Sequence, residues 1–296
     1  MLLRLITLFF LICSANAANS IPITLTTSNG NFGGLLLEGA GSPKVGVIMF
    51  HGRGATPDSA VVRQMRNSLN INGYTTLSIE NPIPADDNNN NSATDFSDYV
   101  ADITSGTNYV FPEAFARMNA SIDLLESQGV ESIIVAGFSL GSRLASAYAA
   151  RGQIAGNTPV VGLIGVGMYG NSIDPLNPVM TLDELSMPVL DIFGDNDTNA
   201  VITAAARRSA YGGAAPDYTQ TVLDCSPTTL GNDCHKLRGG LKGDETKPFE
   251  LAINSWINGV APLAVPEPGS VALFALGLLG LGLSRKKQIQ SIGYYD

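Results

Sequence analysis

The stretch "ESIIVAGFSLGSRLASAYAAR", residues 131–151, decides how this chain folds. Residues 131–136 are a short apolar run rich in Ile and Val, which predicts a strand buried on both faces. Residues 139–151 are mostly small and predict a helix. Between them lies Gly137-Phe138-Ser139-Leu140-Gly141, a G-x-S-x-G pattern. Five residues alone say little, because such a pattern arises by chance about 0.1–0.3 times in a chain of this length. The strand–turn–helix frame gives it meaning: a sharp turn there lifts the serine Oγ above the sheet, at the N-terminus of the helix. That end carries a positive partial charge and unpaired N–H groups. Small residues at Gly137 and Gly141 keep so tight a turn from colliding with its neighbours. Ser139 is therefore the candidate nucleophile.

Working outward, strands and helices alternate. Strands are expected at 21–27, 34–38, 44–50, 74–79, 131–136, 160–166, 187–193 and 218–223. Helices are expected at 57–71, 111–128, 139–151, 200–211 and 246–258. This order implies βαβ units and a mostly parallel central sheet with helices on both faces, led by a hairpin whose turn is "SNGNFGG". A polar segment, 81–109, containing "ADDNNNN", follows the strand 74–79 at its carboxyl end, where loops of such sheets meet ligands. The Asn run itself reads as a solvated insertion, while Glu80 and Asn81 are placed to line a cleft. No large cap domain is encoded between Val160 and Met187, which favours an open site.

A serine hydroxyl is a weak nucleophile at neutral pH and needs a base. The chain has only two histidines, His51 and His235. Candidate acids lie in "VLDIFGDNDTNA", which offers Asp195 and Asp197 after a strand. One of these two must serve as an Asx-turn or helix-cap residue. Asp191 lies inside the strand and is less suitable, with Asp174 and Asp183 further away as fallbacks. Acyl transfer also requires donors for a developing oxyanion. The N–H of Leu140, next after the nucleophile, is one; the loop His51-Gly52-Arg53-Gly54 after strand 44–50 resembles the His-Gly oxyanion loop of the α/β-hydrolases, and that likeness implies a second donor at Arg53 or alternatively Gly54. Neither a metal nor an organic cofactor is called for.

The 296 residues are 45 % hydrophobic and 15 % charged, enough for one well-buried domain and unlike a disordered chain. A net charge of -9 with no basic stripe excludes nucleic acid as a partner. Both ends read as processing signals. Arg4, an apolar run over 5–13 and Ala15-Asn16-Ala17 form a signal peptide over 1–17, cut by signal peptidase; Ile12 is too bulky for a lipobox at Cys13. At the other end Val265-Pro266-Glu267-Pro268 precedes the apolar stretch 271–283 and then Arg285-Lys286-Lys287. The plain reading is a C-terminal membrane anchor. Once the signal peptide is removed only Cys225 and Cys234 remain, expected to pair in an oxidising compartment. With only His235 nearby they make a poor zinc site.

Two resemblances follow. The Pro-Glu-Pro, hydrophobic helix and basic cluster of 261–296 resemble the PEP-CTERM sorting signal of Gram-negative bacteria, although the tail 288–296 is longer than usual. That likeness implies exosortase processing, a transient inner-membrane anchor through the C-terminal helix, and release to the periplasm, cell surface or extracellular matrix. HGRG, GFSLG, GDND and a late histidine resemble the α/β-hydrolase superfamily over 18–260. The likeness implies that fold, and the order nucleophile, acid, histidine; His235 then becomes the base and His51 a structural ring. In that superfamily the acid often sits three residues after the glycine ending its strand, which selects Asp197, with Asp195 second. The expected activity is that of an exported serine hydrolase cleaving a carboxylic ester or related acyl bond through an acyl-enzyme on Ser139, with a small or polymer-attached acyl substrate. A non-catalytic surface or matrix protein on the same fold, or a peptidase, are the alternatives.

Overall fold

The computed structural model describes residues 19–41, 43–82, 110–170, 174–213, 217–225, 234–237 and 248–263. The expected signal peptide, most of the polar segment 81–109 and the C-terminal stretch 271–283 lie outside them. No helix among the described residues is long and apolar enough to cross a membrane. The chain divides into two units, Met1–Leu263 and Ala264–Asp296.

The first unit is built on an eight-stranded sheet. In chain order its strands are β1 (Ile21–Thr27), β2 (Gly30–Leu37), β3 (Val45–Phe50), β4 (Thr75–Ile79), β5 (Ser132–Phe138), β6 (Val160–Val166), β7 (Val189–Gly194) and β8 (Tyr218–Leu223). Across the sheet they run β1-β2-β4-β3-β5-β6-β7-β8. From β4 to β8 every pairing is parallel, and β2 alone runs against its neighbours. The helices are α1 (Ala60–Ile71), α2 (Val110–Ser127), α3 (Leu140–Arg151), α4 (Pro178–Asp183), α5 (Thr198–Ala210) and α6 (Pro248–Val260).

The central strands are mostly apolar because both faces are covered, and the polar residues they carry, such as Thr76, Ser78 and Asp191, are buried as well. In β5, Ile133 and Val135 pack into a core with Met118 and Leu125 of α2 and Leu144 and Tyr148 of α3. The alternate residues Ile134, Ala136 and Phe138 face the opposite core, with Val62 and Met65 of α1 and Ile253 and Ile257 of α6. This period of two across one strand makes two cores from one sheet.

Several boundaries differ from the sequence reading. The leading hairpin turns at once, Thr27 pairing with Gly30, so β2 starts at Gly30 and not Gly34. Glycines at 33 and 34 weaken the strand signal without breaking the ladder. β5 continues through Gly137 and Phe138, since both pair with β6. The short α4 was not expected: Pro178 at its start and the Asn177 side chain accepting from the Val179 N–H define a helix too brief for periodicity to show.

At the β7–β8 edge, Asp191 is fully buried and takes bonds from Arg207 Nε (2.9 Å), Tyr218 Oη (2.8 Å) and Gln220 Nε2 (3.0 Å). Arg207 also donates to the Ala200 carbonyl and to Thr203 Oγ1. This network fastens α5 to the sheet and occupies Asp191. Asp174 is likewise committed, to Arg151, on the surface.

Candidate active site

Ser139 stands between β5 and α3 with φ 55° and ψ -116°. Such a backbone costs about 1–3 kcal/mol in a non-glycine residue and persists only where the surroundings enforce it. Enforcement is visible here. The Ser139 N–H donates to the Val166 carbonyl of β6 at 2.8 Å. The Ser139 carbonyl accepts from the Ser142 N–H at 3.1 Å and from Ser142 Oγ at 2.6 Å. A Cβ on Gly137 would overlap the Gly141 carbonyl, and one on Gly141 would overlap the Phe50 carbonyl of β3. Gly141→Ala must therefore push α3 away from β3. We expect a loss of about 3 kcal/mol or more of unfolding free energy, read by urea titration with near-ultraviolet circular dichroism.

The structure brings His235 and Asp197 to this serine. His235 Nε2 lies 2.8 Å from Ser139 Oγ, and its Nδ1 lies 2.7 Å from Asp197 Oδ2. A carboxylate only accepts, so Nδ1 carries the proton and Nε2 is left to accept from the serine hydroxyl. Asp197 is the N-cap of α5, its Oδ1 accepting from the Ala200 N–H at 3.3 Å, so the positive end of that helix faces the carboxylate. One residue thus does both jobs that the sequence reading divided between Asp195 and Asp197. Asp195 faces elsewhere, its Oδ1 accepting from the Cys225 N–H at 3.1 Å. Asp183 ends α4, apart from this group. The side chain of His235 is 32 % exposed and that of Asp197 only 3 %, so solvent can reach the ring while the acid stays dry.

His235 sits on a single three-residue 3₁₀ turn, Cys234–Lys236, after β8. Cys234 is disulfide-bonded to Cys225. The Phe138 ring lies 5.1 Å from the imidazole, and Tyr169 meets it edge-on at 6.4 Å. The sequence reading did not single out Tyr169 or Arg143. The Arg143 guanidinium is buried on α3, one turn beyond Ser139, and stacks 3.4 Å from the centre of the Tyr169 ring. Burial lowers its pKa to about 10, and burial also raises that of the Tyr169 phenol. No sequence spacing marks this pair, because Tyr169 lies beyond β6 and meets α3 only in the folded sheet.

The loop after β3 lies beside the elbow. Phe50 pairs with Gly137, and a Cβ on Gly52 would be 3.4 Å from the Ser139 Cβ. The Ala55 N–H closes a turn onto the Gly52 carbonyl at 3.2 Å, and this turn contains Arg53 and Gly54. Leu140 opens α3, so its N–H belongs to the first turn, where helical acceptors are lacking. His51 is buried in the same loop. Its Nδ1 donates to the Gly52 carbonyl at 2.8 Å, and its Nε2 accepts from the Asn81 N–H at 3.1 Å. Burial lowers the His51 pKa, keeping a neutral ring that braces the loop.

In fold, the chain is similar to dienelactone hydrolase from Anabaena variabilis, with a TM-score of 0.56 at 16 % identity over 83 % of this chain and 99 % of that one. It is similar to a soluble variant of monoglyceride lipase from Saccharomyces cerevisiae, with a TM-score of 0.59 at 13 % identity over 84 % and 97 %. It is also similar to the carboxylesterase EstE1 from a metagenomic library, with a TM-score of 0.52 at 13 % identity over 83 % and 91 %. At such identities the likeness is one of fold, and the fold is that of the α/β hydrolases. No curated protein matches the chain by sequence. Residues 264–286 match the PEP-CTERM protein-sorting motif. Residues 19–239, which hold the elbow, Asp197 and His235, match a family described as a protein of unknown function, DUF3530, and the chain belongs to that family.

Proposed function

We propose that this protein is an exported serine hydrolase that cleaves a carboxylic ester through an acyl-enzyme on Ser139. One observation carries the reading: a strained serine whose Oγ lies 2.8 Å from His235 Nε2, with Asp197 2.7 Å from the other ring nitrogen. Ser139 Oγ attacks the ester carbonyl while its proton passes to His235 Nε2. Asp197 holds the Nδ1–H tautomer and stabilises the imidazolium. The N–H groups of Leu140 and of Arg53, or alternatively Gly54, take the oxyanion. His235 then returns the proton to the leaving alcohol, and the C–O bond breaks. Water follows the same route: its proton goes to His235, its oxygen to the acyl carbon, and Ser139 leaves protonated. The sorting motif supports export, with signal peptidase and exosortase as processing enzymes and a membrane stage before release.

Between β6 and β7 only the six-residue α4 is present among the described residues, which supports an open site for small or polymer-attached acyl groups. An ester panel tests this. With p-nitrophenyl esters, kcat/KM is expected to be at least about tenfold higher for acetyl than for decanoyl. A rising series with chain length would overturn the open-site reading, and peptides outrunning every ester would make the enzyme a peptidase.

A further inference from the structure

We propose that the Cys225–Cys234 disulfide is the positioning element that seats His235 against Asp197, so that the site becomes competent only once the chain is oxidised. The inference rests on the serine-hydrolase reading and adds its regulation. Cys234 is the residue before His235 and opens its 3₁₀ turn. Cys225 follows the last core strand by two positions, since β8 ends at Leu223. The bond therefore ties the residue before the histidine to the end of β8. Buried Leu237 anchors the far side of the same turn.

The same two sulfurs reach the acid. They lie on Gly194, the last residue of β7, where a Cβ would overlap both Sγ atoms. The Asn196 N–H points at Cys234 Sγ at 3.3 Å, and Asp195 Oδ1 accepts from the Cys225 N–H at 3.1 Å. Residues 194–197, which present Asp197, are thus packed on the disulfide from one side while His235 extends from the other. The serine elbow has different supports, on β3, β6 and α3. Losing the bond should therefore misplace the acid–base pair and leave the nucleophile and its oxyanion loop in place.

Formation of the bond needs an oxidant, here a disulfide donor of the glutathione class. The Cys225 thiolate attacks one donor sulfur and expels a thiol. The Cys234 thiolate then displaces the second. Two protein thiols lose two electrons and two protons overall, and one donor disulfide becomes two thiols. A reducing cytoplasm would hold the chain in its inactive form, and export would complete it.

The test compares the full chain oxidised, reduced with its thiols counted, and reoxidised with glutathione disulfide, alongside Cys225→Ala/Cys234→Ala. Each is assayed with p-nitrophenyl acetate and a fluorophosphonate probe while near-ultraviolet circular dichroism reports the fold. The expected result is a native spectrum, a fall in kcat and labelling rate of about tenfold or more, and KM within about twofold, because a small displacement of a catalytic group costs that much. Reoxidation should restore the reduced wild type. Reduced and alanine-substituted chains that keep full kcat would overturn the inference, as would loss of the native spectrum, which would make the bond a support of the whole fold. If the oxidised chain shows no Ser139-dependent labelling, the hydrolase reading itself falls first.

Discussion

Ser139→Ala is expected to lower kcat/KM for p-nitrophenyl acetate by about 10⁴-fold or more while leaving the fold unchanged. That factor corresponds to about 5.5 kcal/mol of transition-state stabilisation. The substitution removes a single oxygen. It leaves the Ser139 backbone bonds to Val166 and Ser142, which hold the positive φ, untouched. It also leaves the HGRG turn beside the elbow, so any residual rate would come from the oxyanion donors and binding alone. Its urea midpoint should therefore stay near that of the wild type. A large loss of activity with an unchanged midpoint separates chemistry from folding. A fully active Ser139→Ala chain would mean that the nucleophile lies elsewhere.

Asp197→Asn is expected to cost about 10⁴-fold in kcat, the size associated with reversing the histidine tautomer in a Ser-His-Asp triad. An Asn amide facing Nδ1 donates where the carboxylate accepted. Nδ1 must then be the acceptor, the proton moves to Nε2, and the nitrogen 2.8 Å from Ser139 Oγ no longer takes a proton. The cap of α5 survives, because the Asn Oδ1 still accepts from the Ala200 N–H. Asp197→Ala removes both, and should add about 1 kcal/mol of lost stability to the same loss of rate. Urea titration beside kinetics distinguishes the two variants. Asp195→Asn should leave kcat nearly unchanged, since its carboxylate bonds the Cys225 N–H and not the imidazole.

Much of this was legible in the chain because the physics is local. A strand buried on both faces is apolar at most positions, so 133–136 and 160–166 announce themselves without periodicity. A sharp turn between strand and helix needs small residues around the serine, and Gly137 and Gly141 supply them. Two histidines in 296 residues left few choices for a base. What was hidden depends on tertiary placement. That Asp197 both caps α5 and faces His235 follows from where that helix begins, one residue beyond the acid. The Arg143–Tyr169 stack joins two segments that meet only across the folded sheet. The helix α4 is too short to carry a period, and β2 starts among glycines that resemble a turn.

The most direct measurement is peptide-level mass spectrometry of the oxidised chain after exposure to a fluorophosphonate. The account predicts a single phosphonyl adduct on Ser139, formed far more slowly in Asp197→Asn and His235→Ala and absent from Ser139→Ala. A folded, oxidised chain with no adduct at Ser139, or one labelled equally fast without His235, would contradict it.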